Sequence, residues 1–129
     1  SDLGFKGVND HFGHPAGDVA LQEFARRLRT VTREADILAR LGGDEFALVE
    51  TDLQQAGGVQ ALADRLLAAL AEPMLLGGQP ITLGASIGIA VFPDDGDNMT
   101  VLAEHADRAL YDAKAQGGCR WVRFGHQGA

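Results

Sequence analysis

Apolar residues recur along this chain at two different spacings. Leu21, Phe24, Ala25, Leu28 and Val31 return at helical spacing, with Arg26, Arg27 and Arg29 mostly off that face. A second amphipathic helix follows, with Val59, Leu62, Ala63, Leu66, Leu67 and Leu70 on its inner side. A third groups Leu102, Ala106, Ala109, Leu110 and Ala113, and Gly117-Gly118 ends it. The other period is two. ADILARL and FALVE predict a pair of strands joined by the turn GGDE. ITLGASIGIAVFP, residues 81–93, alternates throughout. Ile81, Leu83, Ala85, Ile87, Ile89 and Val91 take one face, and Thr82, Gly84, Ser86, Gly88 and Ala90 the other. Small residues on one face let a helix or another backbone approach closely. RWVRF predicts a last strand. Residues 5–12 read as a short helical turn running into a loop, and GHPAGD as a turn in which Asp18 caps the next helix. PMLLGGQPI reads as a loop with room for a small hairpin, and DDGDN as a turn.

The resulting order is α, β-hairpin, α, β, α, β, an α+β fold with helices packed on an antiparallel or mixed sheet. There is no repeat, linker or low-complexity tract, so residues 1–129 form one domain. A βαββαβ sheet built this way centres on a strand placed before the first helix. Only Ser1, Asp2 and Leu3 stand there. The expectation is an N-terminally incomplete domain whose centre comes from an upstream segment; without it two inner strands would be unpaired.

Composition narrows the function. With 46% apolar residues the chain is ordinary globular protein, and a net charge of −7 argues against a nucleic-acid polymer or anionic membrane as partner. A local anion site remains compatible with that charge. The single cysteine, Cys119, forbids an internal disulfide. No apolar run reaches membrane-spanning length and no signal peptide is visible. A cytoplasmic domain is the simplest expectation, with membrane anchorage left to the parent protein.

The hairpin tip carries the chemistry. Gly42 and Gly43 allow positive φ and leave a floor on which a bulky ligand lies against backbone. Asp44 and Glu45 side by side make sense if a divalent cation offsets their charge. Mg²⁺ commonly takes one or two carboxylates together with substrate phosphates. The plainer alternative is a solvated acidic turn. Asp2 precedes Gly4-Phe5-Lys6 at a strand-to-helix junction, where backbone N–H groups and the lysine suit phosphate. Asn9, His14 and Asp18 follow at intervals of five and four. An amide and a carboxylate together can read a purine edge. Capping by Asn9 and Asp18, and a satisfied loop position for His14, are the competing readings.

GFKGVNDHFGHPAGD, RLGGDEFALV, ASIGIAVFP and ADRALYDAK, in this order and spacing, resemble the GGDEF family, the diguanylate cyclases. The likeness runs from Asp2 to the last strand. It implies a palm-like, ferredoxin-like βαββαβ sheet similar to nucleotidyl cyclases, with GGDEF at a hairpin tip. It implies condensation of two GTP into cyclic di-GMP with release of pyrophosphate, dependent on Mg²⁺ or Mn²⁺. By position, Asp44 is a metal ligand and proton acceptor, and Glu45 beside it is required. Asp2 and the carbonyl of Leu3 complete the metal site. Asn9 and Asp18 match guanine-binding positions, and His14 a nearby substrate contact. Lys6 and Lys114 match phosphate-binding lysines. Arg33 and Asp36 form an R-x-x-D product-inhibition site, with Arg65 a partner from the next helix. One domain holds one GTP, so the active species is a homodimer. The resemblance also implies an upstream sensor or regulatory domain, and a phosphodiesterase domain is the further partner such modules can carry.

Two departures stand out. The family's D-x-D-x-F-K reads S-D-L-G-F-K here, and the arginine usual four residues after the Lys114 position is Gly118, with Arg120 nearest. They favour an alternative, a module that binds GTP or cyclic di-GMP without turnover and regulates a partner domain. A third reading is another cyclase chemistry on the same palm.

Overall fold

The computed structural model describes residues 5–33, 36–50 and 58–125. Helices α1 (Phe5–Phe12) and α2 (His14–Val31) are followed by strands β1 (Ile37–Gly42) and β2 (Glu45–Glu50). Helix α3 (Gly58–Ala71) leads into a small hairpin, β3 (Met74–Leu76) and β4 (Gln79–Ile81). Strand β5 (Ser86–Val91), helix α4 (Met99–Ala115) and strand β6 (Trp121–Arg123) complete the order. The result is an α+β fold: a mixed sheet with helices on both faces.

Strand order in the main sheet is β1-β2-β5-β6. β1 and β2 are antiparallel, while β2–β5 and β5–β6 are parallel. The two inner strands of this sheet, β2 and β5, pair directly with each other, from Glu45↔Ser86 to Glu50↔Val91. Among the described residues these two strands are therefore not left unpaired. Both strands are almost wholly buried, so their backbone groups need partners, and the long connection through α3 brings them together in the same direction.

Period-two alternation sorts the strand side chains into two layers. Phe46, Leu48, Ile87, Ile89 and Val91 join Phe24, Leu62, Leu66 and Leu70 in the main core under α2 and α3. Ala47, Val49 and Ala90 face Leu102 and Ala106 of α4. Leu83 and Ala85 also enter the main core, as alternation predicts, but residues 82–85 form no ladder, so the strand is shorter than 81–93. Gly88 explains the small-residue face. A Cβ there would fall on the backbone of Ala106 and Leu110.

Two sequence expectations about helix surfaces fail. Asp18 does not cap α2; the helix already begins at His14, with Gly13 (φ 91°) at the N-cap and Pro15 in the first turn. Pro's fixed φ and missing N–H suit that position, which moves the start upstream. Arg27, placed off the apolar face by periodicity, is buried. Its guanidinium donates to the carbonyls of Ala69 (3.0 Å), Glu72 (2.6 Å) and Pro73 (3.1 Å) and to Glu23 (2.8 Å). It satisfies orphan carbonyls at the end of α3 and clamps that helix to α2.

Candidate functional site

The hairpin tip is built by an irregularity in β1. Register shifts between Arg40, opposite Phe46, and Gly42, opposite Glu45, so Leu41 is extra. Gly43 and Asp44 alone form the turn, and Glu45 already belongs to β2. Gly42 is a strand residue and does not use the positive φ open to a glycine. A Cβ there would meet the Glu45 carboxylate only at ordinary contact distance, 3.7 Å. Arg40 Nε donates to Gly43 O (2.8 Å), and Ser86 N donates to Asp44 O (2.9 Å), so the turn is fixed from both sides.

Asp44 is half-buried rather than exposed. Burial, and then the neighbouring Glu45 charge, push its carboxyl above the usual aspartate range, against a backbone hydrogen bond within the residue that lowers it. Glu45 Oε1 lies 3.1 Å from Lys114 Nζ, on the last turn of α4. The structure thus brings Asp44, Glu45, Gly42 and Lys114 together. Two adjacent acids with one lysine for partner fit a cation, and oxygen donors of this kind suit Mg²⁺. Asp2 and Leu3, the other expected metal ligands, lie outside the described residues. Among the described residues no three histidine, cysteine or acidic side chains cluster as a complete metal site.

Asn9, His14 and Asp18 sit at the α1–α2 corner. Asn9 Oδ1 is buried against Gly17 with no hydrogen-bond partner. His14 and Asp18 are exposed, one turn apart on α2. No hydrogen bond or ion pair among the described residues joins this corner to the hairpin tip. Lys6 lies in α1, and its side chain is outside the described residues.

The R-x-x-D residues form a separate network. Asp36 Oδ2 accepts from Arg33 N (2.7 Å), and Asp36 Oδ1 from Arg33 Nη2 (3.3 Å). The same Nη2 donates to Glu50 Oε1 at 3.0 Å. The Asp36 and Glu50 side chains are 0% and 1% exposed, against 36% for Arg33. Burial first, then the neighbouring Asp36 carboxyl, raise the Glu50 carboxyl to about 7, while Arg33 pulls the other way. Sequence analysis missed Glu50. The signal was there: Phe46, Leu48 and Glu50 share a strand face, which puts an acid in the core layer. Arg65 lies on the exposed side of α3.

The loop after α4 is also tied to the tip. Cys119 N donates to Ser86 Oγ (3.1 Å), and Ser86 N holds Asp44 O. Gly118 has φ 73°, and a Cβ there would lie 3.1 Å from Ser86 Oγ. Arg120 turns back onto Gly118 O (3.1 Å) and Gln116 Oε1 (3.4 Å).

A paired-acid hairpin on a mixed sheet, with a lysine closing on it from a flanking helix, defines the kind of site present. The chain belongs to the GGDEF family: the family model "Diguanylate cyclase, GGDEF domain" matches residues 3–120. It is 42% identical over 114 residues to MucR of Pseudomonas aeruginosa, a bifunctional diguanylate cyclase/cyclic di-GMP phosphodiesterase, covering 88% of this chain and 16% of that protein. The crystal structure of the GGDEF domain of TpbB (YfiN) from Pseudomonas aeruginosa matches with a TM-score of 0.81 and 37% identity, covering 95% of this chain and 77% of that one. The GGDEF domain of DgcB from Caulobacter crescentus, solved in complex with cyclic di-GMP, matches with a TM-score of 0.70 and 27% identity, covering 95% and 72%. The chain therefore spans only a small part of such a full-length relative. Among the described residues no helix is long and apolar enough to cross a membrane.

Proposed function

We propose that this domain is a diguanylate cyclase module that joins two GTP into cyclic di-GMP, with one GTP on each of two facing copies. The observation that carries this is the half-buried Asp44 beside Glu45, with Lys114 3.1 Å from the latter. A divalent cation, when bound at these acids, neutralises the α-phosphate and acidifies the attacking 3′-hydroxyl. Asp44 would hold that cation and, as the family position implies, stands where it can receive the hydroxyl proton. Glu45 shares the charge. Lys114 exchanges its Glu45 partner for triphosphate oxygens as substrate enters. Asn9, whose buried Oδ1 lacks a partner, and Asp18 read the guanine, with His14 beside them. Cyclic di-GMP feeds back through Arg33, which Asp36 orients from below.

The test is turnover by Asp44→Asn. Removing a half-buried charge that repels Glu45 leaves the fold at least as stable as the parent, while cyclic di-GMP synthesis from GTP and Mg²⁺ is lost. Retained synthesis in a dimeric preparation would remove Asp44 from the chemistry.

A second reading has its own observation. Gly118 adopts a left-handed conformation and Arg120 folds back onto the loop, so no arginine is offered at the family position. A module that binds nucleotide without turnover follows from that. Calorimetry showing GTP binding, together with no product from the unaltered chain, would favour it.

A further inference from the structure

The proposed inhibitory site contains a residue that competes with its own ligand. Arg33 Nη2 divides itself between Asp36 Oδ1 (3.3 Å) and Glu50 Oε1 (3.0 Å). The two carboxylates are not held equally. Asp36 also accepts the backbone N–H of Arg33 at 2.7 Å, which fixes it to the same short segment whatever the guanidinium does. Glu50 comes from a different element, the end of β2, and its other oxygen, Oε2, is buried without a partner. Its tie to Arg33 is the Nη2 contact. Both acids are buried, whereas a third of the Arg33 side chain reaches solvent. An anionic ligand therefore meets the arginine and not the acids.

An arginine fork is most effective on phosphate when its N–H groups are available in pairs. Here one of them is committed inward. We propose that Glu50 is an internal competitor for the guanidinium of Arg33, so that a phosphate-bearing ligand must displace it and the inhibitory affinity is set by that exchange. This rests on the inhibitory-site reading of Arg33. Glu50 acts by holding Arg33 inward, and Asp36 remains the support that keeps the arginine in place when Glu50 lets go. The cost to the ligand is the ion pair it breaks together with the buried carboxylate it leaves behind.

The experiment is calorimetric titration of cyclic di-GMP into the whole chain and into Arg33→Ala, Glu50→Gln and Glu50→Leu variants, with thermal unfolding to verify each fold. Glu50→Leu replaces a buried charge by an apolar side chain of similar size, which folded cores commonly accept. Its binding therefore remains measurable if the amide variant is unstable. The expected result is loss of binding in Arg33→Ala and tightening by roughly tenfold in the Glu50 variants, about the worth of one partly buried ion pair. Binding that depends on Arg33 but is unchanged or weaker in the Glu50 variants overturns the competitor role and leaves the inhibitory site standing. Binding indifferent to Arg33→Ala removes both.

Discussion

At the scale of single residues, two carboxyl groups whose proton affinity is raised by burial have opposite uses. Asp44 is kept partly dry at a turn where a ligand can reach it; Glu50 is sealed in a strand. The Glu50 carboxyl, held at about 7 against an ordinary 4.5, binds its proton more tightly folded than unfolded. Its contribution to stability is thus complete below about pH 4.5 and declines as pH rises through about 7. Replacement by glutamine should remove that decline, flattening stability over this window by on the order of 2 kcal/mol. Urea denaturation at pH 5 and pH 8 measures it, and equal slopes for parent and variant would refute the assignment. Alternation along FALVE exposes Glu50 to anyone counting faces, but only the fold shows that Arg33 is its partner, because seventeen positions of sequence separate them.

At the scale of elements, close approach decides more than propensity. Helix α4 lies on β5 at Gly88, where any side chain meets the backbone of Ala106 and Leu110. Gly88→Ala should destabilise the domain by about 3 kcal/mol or more, since neither partner is a side chain that can turn away. Chemical denaturation gives the number, and a loss below about 1 kcal/mol would mean that the helix is free to lift. The three long helices, the GGDE hairpin and the small face of β5 were readable from periodicity, because each buries one continuous face. The start of α2 was misplaced because Pro15 outweighed Asp18 as a start signal. Arg27 was invisible because its partners are backbone carbonyls, and carbonyls leave no mark in a sequence. At the site, the Asp44–Glu45–Lys114 grouping followed from the motifs. Ser86 did not, since its role lies in contacts to two loops distant in sequence.

At the scale of the whole molecule, the proposed reaction is larger than the domain. Each copy presents its acids at an edge turn, and the new phosphodiester links need a 3′-hydroxyl from one copy at the α-phosphate held by another. Specific activity should therefore rise with protein concentration and level off where dimers saturate. Initial rates across a dilution series, set beside light scattering of the same samples, check this. Activity proportional to concentration in a range where only monomer is present would refute the two-copy reaction.

Ser86 joins the loop behind α4 to the turn that carries Asp44, one contact through its hydroxyl and one through its backbone. Residues 117–120 are thereby a lever whose short arm ends at Asp44. Lengthening or stiffening that loop would retune the proposed activity from its far side, with every acidic residue left in place.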